Sequence, residues 1–225
     1  MTDTGIPVLV RRPGRVDYTR TWHAMQDFNA ARGPDTADEI WLLQHPPVYT
    51  VGLNARAKGH PDFIRGIPVI SCDRGGEITY HGPGQWVAYC LLDIRRRRWG
   101  VKHLVRAMEQ AVLDTLQTYG IDGHRIDGAP GVYVQQRKIA SLGLRIRGGG
   151  SYHGVSFNVD MDLAPFAAIA PCGYDGLEMT QLRELTRGAD PEIAGERLLQ
   201  SLLQNLGYNE ARPGKNHPPQ EMHHG

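Results

Sequence analysis

Cys72, Cys90 and Cys172, three cysteines in 225 residues, are too few and too scattered for a disulfide framework or a paired-cysteine metal site. In a reducing compartment they stay free thiols, which leaves one of them available as a nucleophile. Long apolar runs are missing too. Stretches such as Trp86 to Leu92 fall far short of the ~20 residues that span a bilayer. Neither charge is in excess: Lys plus Arg is 25 against 24 for Asp plus Glu, a net +1. That excludes a polycation binding nucleic acid through bulk charge. The opening Met1-Thr2-Asp3-Thr4-Gly5 lacks the basic and apolar regions of a secretory leader. The expectation is a cytoplasmic chain with no membrane and no nucleic-acid partner.

Glycine and proline, by contrast, are plentiful. The 27 Gly and 15 Pro make 42 of 225 residues, against roughly 12% in an average chain, and the excess sits mid-chain. Glycine costs backbone entropy, so such a middle implies tight turns or backbone brought close to a ligand. Pro7 to Val10 reads as a first strand. A helix fits Tyr18 to Ala31, with Asp17 as N-cap and Gly33 as the stop. Strands follow at Glu39 to Leu43, Val48 to Val51 and Val69 to Ser71. Gln85 to Ile94, nearly all apolar, predicts a strand buried on both faces.

The clearest helix spans Val101 to Tyr119, with Val101, Leu104, Val105, Met108, Val112, Leu113 and Leu116 as one apolar stripe and Gly120 as terminator. Strands at Gly131 to Gln135, Lys138 to Ile146 and Tyr152 to Val159 come next, the last two joined by a turn at Gly148-Gly149-Gly150. A final helix begins at Asp190-Pro191 and ends at Gly207, burying Ile193, Leu199, Leu202, Leu203 and Leu206. The pattern predicts one α+β domain over 1–211. A mobile tail is expected over 212–225, where little can be buried.

Three segments carry candidate chemistry. Arg74-Gly75-Gly76-Glu77-Ile78-Thr79-Tyr80-His81-Gly82-Pro83-Gly84-Gln85 reads either as a ligand loop presenting Tyr80 and His81 at its edge or as a hairpin connection with turn glycines. Lys138 sits among Ile139, Ala140 and Leu142. Burial would disfavour its charge and suit it to proton transfer. A surface lysine guarding a strand edge is the commoner arrangement. Of the thiols, Cys90 lies in an apolar strand and reads as inert core, Cys72 is ambiguous, and Cys172, between Pro171 and Gly173 on a turn, ranks first as a nucleophile.

These segments, in this order, resemble the octanoyltransferases of lipoate biosynthesis, relatives of the biotin and lipoate protein ligases. The resemblance rests on His45-Pro46-Pro47-Val48-Tyr49-Thr50-Val51-Gly52, the Arg74 to Gln85 loop, Lys138 to Gly143 and His153 to Gly173. It spans about Gln44 to Leu182 and implies a biotin/lipoate ligase-like fold, a mixed, mainly antiparallel sheet flanked by helices. It further implies Cys172 as the acyl-carrying nucleophile and Lys138 as the group lowering its pKa. The acyl and thioester site would comprise Arg74, Gly75, Gly76, Glu77, Ile78, Thr79, Tyr80 and His81, with Ser141, Leu142 and Gly143, and with Gly154, Val155 and Ser156. His81 would position substrate. Two positions depart from the family pattern: Cys90, where a proline is expected, and Gln181, where a serine is usual.

The resemblance implies octanoyl transfer from acyl carrier protein to a lysine of lipoyl domains, those of 2-oxoacid dehydrogenase complexes and of the glycine cleavage H protein. No cofactor or metal is expected, and a monomer is. The alternatives are an ATP-dependent lipoate or biotin ligase and a non-catalytic acyl- or lipoyl-domain-binding protein. Cys-His hydrolysis, through Cys172 with His153 or His81, is a further one that lacks an Asn or Asp assignable as orienter. Finally, Arg95-Arg96-Arg97-Arg98 with Lys102 and Arg106 could steer an acidic carrier protein, although a solvated loop is the commoner role of such a run.

Overall fold

The structure, a computed structural model, describes residues 7–169 and 176–216. In chain order the strands are β1 (Val8–Arg15), β2 (Asp38–Gln44), β3 (Val48–Val51), β4 (Phe63–Ile64), β5 (Ile67–Ser71), β6 (Ile78–His81), β7 (Gln85–Leu91), β8 (His124–Ile126), β9 (Ala129–Val134), β10 (Arg137–Arg147), β11 (Gly150–Asn158) and β12 (Ala211–Pro213). The helices are α1 (Tyr18–Ala30), α2 (Val101–Gln117), α3 (Leu182–Leu185) and α4 (Pro191–Asn205). Eight strands form one sheet in the order β12-β1-β2-β7-β11-β10-β9-β8, and four form a second in the order β4-β5-β3-β6. Among the described strands only β12–β1, β1–β2 and β3–β5 are parallel. The α+β expectation of a mixed, mainly antiparallel sheet is what is found.

Strand β7 shows why its sequence is continuously apolar. Trp86, Ala88 and Cys90 point to a core shared with α2 and α4, and Val87, Tyr89 and Leu91 to one shared with α1. Strand β2 divides likewise, with Ile40 and Leu42 on the first side and Trp41 and Leu43 on the second. The Cys90 thiol lies in this core and is pushed up to about 12 by desolvation, as an inert thiol should be. Asp17 caps α1 by accepting from the Arg20 amide, and Asp190 caps α4 through the amides of Glu192 and Ile193. Among the described residues no helix is long and apolar enough to cross a membrane.

Several local expectations give way. Ile78 to His81 form a strand, paired antiparallel with β3, rather than the edge of an open loop. Val101 and Ile193, assigned to buried stripes, are 47% and 51% exposed. Val101 stands at a cavity mouth, and at the end of α4 Leu199, Leu202, Leu203 and Leu206 are buried as expected, while Ala194 and Leu198 take the place given to Ile193. The boundary drawn at 211/212 cuts through β12, where Arg212 and Pro213 pair with Leu9 and Val10. Exposed side chains gave no sign of this, because the pairing is made by backbone. Of the expected tail, 217–225 lies outside the described residues.

The arginine run is not one solvated loop. Arg96 and Arg97 converge with Arg32 on the buried Asp38 carboxylate, at 2.9, 3.2 and 3.1 Å. Tyr208 also donates to it at 2.7 Å. Arg97 additionally donates to the Leu206 carbonyl at the end of α4. Those two arginines therefore tie β2 to the loop before α2 and to the end of α4, and only Arg95 and Arg98 of the four are exposed.

Candidate active site

A cavity of about 640 Å³ opens between the large sheet and the 74–79 segment that leads into β6. Its floor is β10 and β11 side by side, with Gly143 opposite Gly154 in the antiparallel register. Gly154 is there because the backbone leaves no room: a Cβ would sit 2.0 Å from the Ala88 carbonyl oxygen on β7. Arg74 shapes the facing wall. Its guanidinium donates to Thr50 Oγ1 and the Thr50, Gly75 and Glu77 carbonyls at 2.6–3.1 Å, so it staples its own loop to β3.

All the residues assigned to the acyl and thioester site border this cavity except Tyr80. Its ring instead turns between Tyr49 and Phe166, with centroids 5.4 and 5.5 Å apart, because successive β6 side chains face opposite ways. Tyr18, Tyr89, His153, Leu144, Asn54 and the α2 residues Val101 and Val105 also line it. Tyr18 opens α1, and nothing in its local sequence marks it as a cavity residue.

Lys138 borders the cavity and is 1% exposed. The surface-lysine arrangement favoured by composition is therefore overturned. Strand β10 lies between β9 and β11, and residues 178–180 cover it further: Lys138 N donates to the Glu178 carbonyl and Thr180 N to the Lys138 carbonyl, both at 2.9 Å. The ammonium lies 5.3 Å from the Tyr133 ring centroid, a cation–π distance. Gly131, with φ +139°, makes the space. A Cβ there would stand 2.4 Å from Lys138 Cε.

A continuous set of hydrogen bonds joins the loop wall to this lysine. Arg74 donates to Thr50 Oγ1, and the Thr50 hydroxyl to His81 Nε2 at 3.4 Å. His81 Nδ1–H donates to Gln85 Oε1 at 2.7 Å. Gln85 donates to Asn158 Oδ1, and Asn158 to the Thr180 carbonyl, whose own amide holds Lys138. His81 is thereby fixed as the neutral Nδ1–H tautomer. Burial, then the neighbouring His45, pulls it down to about 3. His45 is likewise lowered to about 4 by burial, with Nδ1 donating to the Val16 carbonyl and Nε2 accepting from Tyr89, both at 2.7 Å.

His153 has the orienter that the sequence did not disclose. Its Nε2–H donates to Asp73 Oδ1 at 3.0 Å, and Trp22, Gln26 and Tyr152 donate to the same carboxylate. Burial works against the Asp73 anion, but these four donors prevail and hold it well below the usual carboxylate range. His153 itself is lowered by burial and takes a left-handed φ of +61° within β11. The strand register places it opposite Leu144, six residues along β10 from Lys138. At ~3.3 Å per residue it serves the far end of the cavity rather than the lysine. Cys72 is buried beside β3, its thiol donating to the Val51 carbonyl at 3.5 Å. Cys172 lies outside the described residues.

Residues 17–205 match the family described as the lipoyl protein ligase A/B catalytic domain. An octanoyltransferase of Azoarcus sp. (strain BH72) is 59% identical over 201 residues, covering 89% of this chain and 88% of that protein. One from Dechloromonas aromatica (strain RCB) is 56% identical over 204 residues, covering 89% and 98%. Among solved structures, lipoate-protein ligase A bound with ATP superposes with a TM-score of 0.72 at 15% identity, covering 93% of this chain and 88% of that one. At that identity the likeness speaks to the fold alone.

Proposed function

The chain belongs to the octanoyltransferases of the lipoyl protein ligase A/B family, and from that premise we propose that it works by a cysteine–lysine relay between two carrier proteins. The donor is octanoyl-acyl carrier protein. The acceptors are lysines of lipoyl domains, in 2-oxoacid dehydrogenase complexes and in the glycine cleavage H protein. The enzyme acts as a cytoplasmic monomer.

The incoming acyl group is already a thioester, so transfer to an enzyme thiolate is a near-isoenergetic exchange that needs no ATP and divides one encounter into two. A free cysteine is only ~3% thiolate at pH 7. The Lys138 ammonium stabilises the Cys172 thiolate by Coulomb attraction. The thiolate attacks the octanoyl carbonyl, the carbon–sulfur bond to pantetheine breaks, and Lys138 protonates the departing thiolate. Neutral Lys138 then accepts the proton released when the acceptor amine attacks the Cys172 thioester and the cysteine leaves again as thiolate.

The observation that carries this reading is the position of Lys138. It is a buried lysine in the wall of a sizeable cavity, bonded through its backbone to Glu178 and Thr180, six and eight positions beyond Cys172. Intact-protein mass spectrometry after mixing with octanoyl-acyl carrier protein, without ATP, is expected to show one added octanoyl group, removable by hydroxylamine and mapping to Cys172. Cys172→Ser should abolish it and Cys72→Ser should not; the reverse result sinks the assignment. Lys138→Met should slow thiol alkylation at pH 7 and move its pH profile upward. An unchanged profile removes Lys138 from the mechanism. Transfer that requires ATP and free octanoate would mark a ligase instead.

A further inference from the structure

The arginine run is split by the fold, and the split leaves a cationic strip at the cavity mouth. Arg96 and Arg97 are engaged with Asp38, and Arg125 with Glu109. Arg98, Lys102 and Arg106 are exposed and form no ion pair among the described residues. Lys102 and Arg106 lie one helical turn apart on α2 and therefore share a face. Immediately beside them on the same helix, Val101 and Val105 line the cavity. The first turn of α2 carries no acidic residue. With a net charge of only +1, this concentration is local to the entrance.

We propose that Arg98, Lys102 and Arg106 form the docking strip for the donor, engaging the acidic surface of acyl carrier protein around the phosphodiester that anchors its acyl arm. This rests on the transfer reading above and adds the surface on which its first half begins. The two macromolecular substrates are told apart by what each brings to the mouth. The donor's arm hangs from an anionic phosphodiester on an acidic protein, and clustered cations attract it over the Debye length and speed encounter. The acceptor presents a lysine, whose ammonium the same cations repel. Val101 and Val105 offer apolar surface where the arm turns inward, next to the charges that hold its base.

The test is steady-state transfer by the full chain carrying Lys102→Glu and Arg106→Glu together. Octanoyl-acyl carrier protein is compared with octanoyl-pantetheine, which has the thioester but neither phosphate nor protein. With the carrier protein as donor, kcat/KM is expected to fall by about ten-fold or more at low ionic strength. The decline of wild-type kcat/KM with added salt should flatten. With octanoyl-pantetheine the variant should match wild type, which also reports that it has folded. KM for the lipoyl-domain acceptor should stay the same. Equal kcat/KM for variant and wild type on the carrier protein overturns the strip, as does an effect confined to the acceptor's KM. Failure of the wild type itself to transfer from either donor overturns the underlying reading, an outcome separable from the first two.

Discussion

Mild acid should unfold this protein through the two imidazoles beneath the cavity. His45 and His81 are 0% and 6% exposed, and their rings meet edge-on with centroids 6.0 Å apart. Tyr18, Tyr89 and Asp17 surround His45, and Arg74, Gln85 and His153 surround His81. Both rings are neutral in the fold, to about pH 4 and about pH 3, whereas in the unfolded chain a histidine takes its proton near pH 6.5. Below 6.5 the unfolded state therefore binds more protons, and stability falls as pH falls until the folded values are reached. Each ten-fold difference in proton affinity is worth about 1.4 kcal/mol. At pH 4 the pair should thus have lost roughly 3 kcal/mol per ring relative to neutrality, a large share of the ~5–15 kcal/mol that holds a domain together. Urea unfolding at steps from pH 7.5 to 4 reads the loss in wild type and in His81→Gln, whose amide titrates nowhere in that range. The variant should lose about 3 kcal/mol less over the same span. Parallel stability curves would refute the reasoning. So would an isotope-labelled imidazole spectrum showing His81 titrating between pH 6 and 7 in the native protein.

Asp38→Asn removes the only carboxylate within ion-pair distance of Arg32 and Arg97 among the described residues and leaves buried guanidiniums uncompensated. It should cost about 3–5 kcal/mol, read as a fall in melting temperature of roughly 10 °C, and a change under 2 °C would contradict it. Gly154→Ala drives a methyl against the Ala88 carbonyl oxygen, a backbone atom held in the sheet. Destabilisation of about 1–3 kcal/mol or more is expected in chemical denaturation, and wild-type stability would show that β11 can move away from β7.

Much of this architecture is written locally. Asp17 and Asp190 name their helix starts, and the apolar run of β7 announces a strand covered on both sides. Residues 74–79, His81, Lys138, Ser141 to Gly143 and Gly154 to Ser156, from three separate motifs, line one cavity. What stayed hidden depends on partners far along the chain. Composition places Lys138 at a surface because lysine usually is exposed. Its burial comes from residues 178–180 laid against it and from Gly131 making room. Arg96 and Arg97 looked like solvent-facing charge because Asp38, 58 and 59 positions away, is invisible to any local window. Asp73 sits beside Arg74 in a loop, and only the fold brings it to His153, 80 positions on. Tyr80 shares a motif with its cavity-lining neighbours, and the pleat alone turns it away.

The parallel pairing of β1 with β12 has a consequence for how the molecule is made. Val8 lies beside Ala211, so the margin of the large sheet stays unfinished until residue 211 has left the ribosome. Until then β1, already zipped to β2, shows a row of unpaired amides and carbonyls, the kind of border onto which a second nascent chain can add itself. A short exposed strand that lines none of the cavity is thus placed to cover that border, and truncation before Ala211 should surface first as lost solubility, with the cavity still intact.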